Sequence, residues 1–264
     1  MACADSWILI PRASNAQHPM STHSFALADL RVAVVGNGRL GGVITRALRA
    51  AGVDALGPTG RGESVPRADI ALLCVTDAEI PRAAAAVAGR ARIVGHTSGA
   101  TPIDDVDFGL HPVQTFTGDE HPDVFSGLAC AVAAHDPAGR EAASMLVDAL
   151  GGRSFEIADE HRAAYHAACC IASNFLVTLE EAAARAAGAA GIDEVSARDM
   201  LAPLIRRTVD NWTEHGAAAL TGPIARGDDG TVVRQRAAIA DVPGVPELFD
   251  AMCASTHRMT EEAA

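Results

Sequence analysis

The sequence predicts an α/β protein, a mostly parallel sheet with interleaved helices followed by an all-helical region. From Arg31 onward, short β-rich runs alternate with helical stretches, which is the pattern of βαβ units. After Ile157 the β signal nearly disappears and alanine-rich helical periodicity replaces it. With 264 residues the chain can bury one large core or two smaller ones. The expected organisation is an N-terminal extension at 1–30, a sheet domain at 31–157 and a helical domain at 158–264.

The expected strands are 31–35, 53–56, 69–75, 91–95, 107–110, 128–133 and 153–157. Between them 39–51, 79–88 and 137–150 read as helices, the third opened by Asp136-Pro137, where a cap and a proline at the first helical position coincide. Gly52 and Gly151-Gly152 stand where left-handed C-caps are expected. The connection at 57–68 is rich in Gly and Pro and too short for a crossover helix, so the sheet is expected to be trimmed there. Asp159 to Ala190 reads as one long helix, followed by helices near 194–216, 230–240 and 245–259, with Pro223 and the Pro243–Pro246 turn as breaks. Residues 1–30 show little periodicity and read as a flexible tail, or as an extension upstream of a start at Met20. The apolar run at Trp7–Pro11 is too short for a signal core, and no later run is expected to reach membrane-spanning length.

The balance of 21 basic against 33 acidic residues, net −12, gives a diffuse acidic surface and argues against nucleic acid as a partner. All 21 basic residues are arginine. A phosphate-binding, Schiff-base or general-acid lysine is therefore excluded, and the only strong cation is one that keeps its proton. Cys3, Cys74, Cys130, Cys169, Cys170 and Cys253 form no C-x-x-C pair, which fits free thiols in a reducing cytoplasm.

The most informative segment is Gly36-Asn37-Gly38-Arg39-Leu40-Gly41, a Gly-x-Gly-x-x-Gly turn entered by the β run at 31–35 and left by a helix. Gly36 suits the tight turn, Gly38 lets backbone N–H groups approach a pyrophosphate, and Gly41 allows close packing of helix on strand. This makes the sheet Rossmann-like, with a dinucleotide at the helix N-terminus. An acidic residue about 20 positions beyond the glycines normally binds the ribose hydroxyls of NAD. Here Asp54 falls early in its strand, whereas Thr59 and Arg61 stand where a 2′-phosphate would be met, so NADP is favoured over NAD. Arg39 is a second candidate for phosphate. Val75, Thr76, Thr97 and Ser98 follow strand ends that face the crevice, and they are expected to border the nicotinamide and its ribose. Thr76 and Asp77 read equally well as helix caps.

His111, carried into a loop by a strand end, is the first candidate for proton exchange near neutral pH, and His96 is a weaker one. On the following helix His166, Cys170, Ser173 and Asn174 share a face, a polar stripe among alanines that suits the wall of a substrate pocket. Buried, hydrogen-bonded core residues would give the same pattern. His161 and His166 lie five apart, off the spacing of paired metal ligands, and no metal is expected. The turn from Leu220 to Thr231 contains Thr221 and Arg226, which either contact an anionic substrate or belong to a plain connector capped by Asp228 or Asp229. Gln114 is the remaining substrate candidate.

These stretches resemble a family in which a Rossmann-like domain precedes a helical domain called DUF2520, similar to F420-dependent NADP oxidoreductases and pyrroline-5-carboxylate reductases. The resemblance spans about 31–260 and rests on the glycines at 36–41, His-Thr-Ser-Gly at 96–99, His-Pro-Val-Gln-Thr-Phe at 111–116 and Leu-Thr-Gly-Pro-Ile-Ala-Arg-Gly-Asp at 220–228. It implies a dimeric NAD(P)-binding protein. In the β-hydroxyacid dehydrogenases a Lys-x-x-x-Asn motif lies on the corresponding helix; aligning its asparagine with Asn174 puts Cys170 at the lysine position, which argues against a lysine acid here. Gly-Leu-His-Pro at 109–112 is similar to prephenate dehydrogenases, whose histidine accepts a proton from the substrate hydroxyl.

The expected function is therefore an NADP-dependent oxidoreductase that moves hydride to or from a small carbonyl, imine or hydroxy compound. His111 or His166 would be the acid/base and Asn174 would orient the substrate. The alternatives are a nucleotide sensor without turnover and a prephenate-dehydrogenase-like enzyme. The alanine-rich helical faces suit close packing and exceed the partners that one chain offers, so a homodimer through the helical domain is expected.

Overall fold

The computed structural model describes residues 30–262, so the expectations for residues 1–29 lie outside it. Seven strands form one sheet in the order β2-β1-β3-β4-β5-β6-β7. They are β1 (Arg31–Val35), β2 (Asp54–Thr59), β3 (Ile70–Leu73), β4 (Ile93–His96), β5 (Phe108–Pro112), β6 (Ala129–Ala134) and β7 (Arg153–Glu156). Strands β1 to β5 are parallel, β6 runs antiparallel to β5, and β7 runs parallel to β6. Every expected strand is present. The largest difference is at β2, which continues through Gly57-Pro58 to Thr59. Pro58 is tolerated because β2 is an edge strand, where a missing N–H breaks no inner ladder, and the register against β1 shifts at this point.

Both faces of the central strands are buried, which explains their nearly continuous apolar runs. On one face Val32 and Val34 of β1 meet Val43, Ile44 and Leu48 of α1 (Arg39–Ala50), in a core shared with Leu146 and Val147 of α3 (Pro137–Ala149). On the other, Ala33, Ala71 and Leu73 meet Ile80 and Val87 of α2 (Ile80–Val87) together with Ile103 and Val106. Asp136 caps α3 by accepting the Gly139 N–H at 2.8 Å, with Pro137 at the first helical position. Among the described residues, the connection from β2 to β3 has no helix.

The chain divides into two compact units, the first ending at Cys170 and the second beginning at Ile171. Residues 158–170, expected in the helical region, thus pack with the sheet, because α4 (Arg162–Ala172) covers the end of β5 as described below. The expected single helix at 159–190 is interrupted at Ser173, whose φ of −124° and ψ of −68° leave the helical region, and α5 (Asn174–Ala189) begins after it. The shared face of residues 166, 170, 173 and 174 is therefore not that of one continuous helix. Taken through its pieces, Asp159–Ala189 is also a 31-residue helical run long and apolar enough to cross a membrane, contrary to expectation. Alanine supplies much of that apolarity, and Arg162 near its start is buried in the sheet unit.

In the second unit α5 packs on α6 (Glu194–His215) and on α8 (Val245–Glu262), and α7 (Asp229–Ala238) packs on α8. Arg198 of α6 bridges to Glu181 of α5 at 3.1 Å, and Arg236 of α7 to Asp250 of α8 at 2.8 Å.

Candidate functional site

The chain leaves β1 for β2 on one side and returns to β3 on the other, so a crevice opens beyond the carboxyl ends of β1 and β3. The three glycines of the turn stand there in different ways. Gly36 has φ +109°, and a Cβ on it would lie 2.2 Å from the Cys74 carbonyl oxygen. A Cβ on Gly41 would lie 1.9 Å from the Gly36 carbonyl oxygen, so this glycine seats α1 against β1. At Gly38, the N-cap of α1, a Cβ would meet no described atom of the chain within 4 Å. Packing requires the first and third glycines and leaves the second unexplained by anything inside the protein.

Gly38 borders a cleft of ≈ 320 Å³ that is also lined by Asn37, Thr59, Arg61, Val75 and Thr76. Leu40 packs against the core and Arg39 is exposed. Thr59 is buried; its carbonyl accepts the Gly36 N–H at 2.9 Å and its hydroxyl lies 3.4 Å from the Val34 carbonyl. Asp54 is at the opposite end of β2 and is paired with Arg31 at 2.9 Å. Thr76 makes no side-chain cap. The Thr97 hydroxyl donates to the Leu73 carbonyl at 3.3 Å, and that of Ser98 accepts the Thr101 N–H at 2.9 Å, so both serve the loop after β4. Burial pushes the Cys74 thiol in the cleft up to about 12, and it stays protonated.

Three strands away, Gly109 and His111 project from one face of β5, and α4 covers that face. A Cβ on Gly109 would lie 2.8 Å from Arg162 Nη1, so the glycine leaves room for a guanidinium. Arg162 is 1% exposed; it donates from Nε to the Thr101 carbonyl at 2.8 Å and from Nη2 to the Ser98 carbonyl, with Asp159 at 3.7 Å. These bonds satisfy a buried charge and fasten the Ser98–Thr101 loop to the helix. One turn on, the Tyr165 hydroxyl lies 2.6 Å from His111 Nδ1. The rings of Tyr165 and His166 both stand edge to face with that of His111, at 5.6 and 5.7 Å.

Burial, followed by electrostatic interaction with His166 and with Arg162, lowers the His111 pKa to about 4. Burial raises that of Tyr165 above its ordinary value. The phenol therefore keeps its proton and has Cys169 as a second hydrogen-bond partner; in the tautomer in which it donates to Nδ1, the neutral imidazole carries its own proton on Nε2. A Cβ on Gly99 would lie 2.9 Å from this Nε2 and 2.6 Å from His166 Nδ1, so both nitrogens converge beside the glycine. His166 Nδ1 is buried without a hydrogen-bond partner. His96, by contrast, is fully buried with both nitrogens occupied, Nε2 by the Pro102 carbonyl at 3.1 Å and Nδ1 by the Ser98 N–H at 3.2 Å. It is a structural residue.

Gln114 is exposed and its side chain accepts the Thr115 N–H at 2.9 Å. Ser173, Asn174, Thr221 and Arg226 belong to the second unit. There the Ser173 hydroxyl donates to Asn174 Oδ1 at 2.9 Å, the turn at Ile224–Arg226 packs on α8, and Asp228 caps α7 through the Thr231 N–H at 3.0 Å. Sequence reasoning assigned no role to Arg162 or Tyr165. For Tyr165 one signal was present, since it is the only tyrosine of the chain and adjoins His166.

Residues 128–256 match the family described as a domain of unknown function, DUF2520. The match begins before β6 and so includes the last part of the sheet. No curated protein matches the chain in sequence. Among solved structures, a protein of Bacteroides fragilis described as an NADP oxidoreductase aligns with TM-score 0.73 and 21% identity, over 88% of this chain and 100% of its own. A Thermotoga maritima protein aligns with TM-score 0.68 and 22% identity, over 88% and 99%. The pyrroline carboxylate reductase of Plasmodium falciparum, solved with NADP bound, aligns with TM-score 0.53 and 10% identity, over 89% and 100%. The fold is thus Rossmann-like and residues 128–256 match DUF2520, with a glycine cradle and a tyrosine-bonded histidine at the carboxyl edge of one sheet.

Proposed function

We propose that the protein is an NADP-dependent oxidoreductase that moves a hydride between nicotinamide and a small carbonyl, imine or hydroxy compound. One arrangement carries the reading: the glycine cradle after β1 and the neutral imidazole on β5 belong to parallel strands that open on the same edge. The open space at Gly38 fits the approach of a pyrophosphate, which would be held by backbone N–H groups at the start of α1. When bound, nicotinamide supplies or takes up the hydride. Arg61 lines the cleft and Asp54 is committed to Arg31, which favours NADP over NAD.

The chain's own task is the proton. His111 presents an Nε2–H to a substrate oxygen or nitrogen, a donor that stabilises negative charge as it develops there. A proton given up by Nε2 is replaced at Nδ1 by that of the Tyr165 hydroxyl, so the imidazole stays neutral. His166 Nδ1 offers a second polar contact beside it. The substrate-contacting roles read from the sequence for Gln114, Ser173, Asn174, Thr221 and Arg226 belong to the same proposal. Wild-type protein is expected to melt higher with NADPH than with NADH, and to oxidise NADPH with at least one of a panel of small aldehydes, ketones and cyclic imines. Equal melting shifts would remove the preference for NADP, and binding without turnover across the panel would make the protein a nucleotide sensor.

The proposal includes a cytoplasmic homodimer formed through the helical unit. Cys74, Cys130, Cys169, Cys170 and Cys253 form no disulfide among the described residues, which suits a reducing compartment. Met200, Leu204 and Trp212, spaced by four and eight residues along α6, are 50%, 62% and 65% exposed, an apolar stripe that suits a partner helix. Sedimentation should show a wild-type dimer, and Leu204→Asp with Trp212→Ser should shift it to monomer. A wild-type monomer at micromolar concentration would rule this out.

A further inference from the structure

The cleft beside Gly38 has two arginines at its rim and a carboxylate between them. Arg61 follows β2, whereas Arg82 is on α2, and both line the cleft with Glu79. Glu79 Oε2 accepts from Arg82 Nε at 2.8 Å and from its Nη2, and Glu79 Oε1 lies 3.7 Å from Arg61 Nη2. The hydrogen bond from Arg82, then the charges of Arg82 and Arg61, hold the Glu79 carboxyl below its usual range, so it is an anion at neutral pH. The other carboxylate of this rim, Glu63, is occupied by the Gly60 N–H at 2.7 Å. Two guanidinium groups from separate elements thus converge on one anion supplied by the chain itself.

That geometry is also what a phosphate group needs. Planar guanidinium forks match phosphate oxygens as well as carboxylate oxygens, and a phosphate monoester dianion carries more charge than a carboxylate. The side chains of Arg61 and Arg82 are 78% and 67% exposed, so their pairs with Glu79 are solvated and readily exchanged. We infer that Glu79 is an internal occupant of a 2′-phosphate site: the phosphate of NADP takes over Arg61 and Arg82 from the Glu79 carboxylate, and this exchange sets the balance between NADP and NAD. The inference rests on the dinucleotide reading above. NAD has no group to exchange and leaves the pairs in place. Glu79 therefore acts against NADP, both by holding its arginines and by repelling its phosphate.

The test is calorimetric titration of the full chain with 2′,5′-ADP and with 5′-AMP, which differ only in the 2′-phosphate. In Glu79→Gln the ratio of the two dissociation constants should move about fivefold or more toward 2′,5′-ADP, the scale expected of removing one competing charge from a solvated site. In Arg82→Ala it should move about tenfold the other way, as for the loss of one guanidinium–phosphate contact. Raising the salt concentration should weaken 2′,5′-ADP more than 5′-AMP. If both nucleotides bind and neither variant changes their ratio, the exchange is refuted while dinucleotide binding stands. If neither nucleotide binds the folded wild type, the dinucleotide reading itself is lost.

Discussion

Gly38→Ala should leave the fold almost untouched and remove most of the dinucleotide affinity. Its φ of −88° and ψ of −173° are open to any L residue, and a Cβ there meets no described atom within 4 Å. Two opposing terms act on stability. Alanine reduces the freedom of the unfolded chain, which stabilises by about 0.4–1 kcal/mol. It is also a poorer N-cap than glycine, which costs a similar amount. The net change should stay within about 1 kcal/mol, a melting shift of a few degrees for a domain of this size. A methyl group standing where the pyrophosphate approaches would displace two or three charge-assisted hydrogen bonds, each worth roughly 1.5–3 kcal/mol, so affinity for NADPH should fall about 100-fold or more. Gly36→Ala is the contrast. Its φ of +109° and the 2.2 Å approach to the Cys74 carbonyl oxygen require β3 or the turn to move, a cost of at least about 3 kcal/mol. Thermal melts with and without NADPH distinguish the two variants. Should Gly38→Ala bind NADPH as wild type does, the open space at this position has another purpose.

The features that could be read from sequence are those whose signal is local. Short β-rich runs located all seven strands, and Asp136-Pro137 located the start of α3, because strand propensity, cap and proline act within a few residues. Pro58 misled at β2, since whether a proline ends a strand depends on its place at the sheet edge, which only the assembled order β2-β1-β3 reveals. The break at Ser173 carries no glycine or proline, and neighbouring alanines give uniform helical propensity, so nothing local marks it. The same limit governs the site. His111 was visible because it ends a strand beside the crevice, and the three glycines because their spacing is fixed by the turn. Arg162, Tyr165, Glu79 and Arg82 lie on or just before helices whose facing side is decided by contacts with residues remote in sequence. The Tyr165 to His111 bond spans 54 positions, and no periodicity within α4 can report which strand that helix covers.

The largest expected effect on turnover is at His111, and the more discriminating one is at Tyr165. His111→Asn should lower kcat by about 10² to 10⁴, the range for a positioned proton-handling group, with NADPH affinity unchanged because the imidazole is away from the glycine cradle. Tyr165→Phe removes the hydroxyl that bonds His111 Nδ1 and Cys169. The imidazole is then free to place its proton on either nitrogen, and its neutral form loses a stabilising bond. Turnover should fall about tenfold, and the acid limb of the pH profile should move upward as the imidazole pKa rises from about 4 toward its ordinary value. The titratable groups bearing on this imidazole are His166 and Arg162, which oppose its protonation, and Asp77, which favours it.

The same depressed pKa enters stability with a definite sign. Between pH ~6.5, where an unfolded histidine titrates, and the folded value of about 4, the unfolded state binds more protons, so stability falls as pH is lowered through this window. The slope from one such group cannot exceed about 1.4 kcal/mol per pH unit. His96, also depressed by burial, adds to it in the same direction. His111→Gln should therefore flatten the acid decline of stability in part and not in full, as read by denaturant unfolding at a series of pH values. A Tyr165→Phe variant with wild-type kcat and an unmoved acid limb would reduce the Tyr165–His111 contact to packing, and with it the claim that the phenol fixes the proton on Nε2.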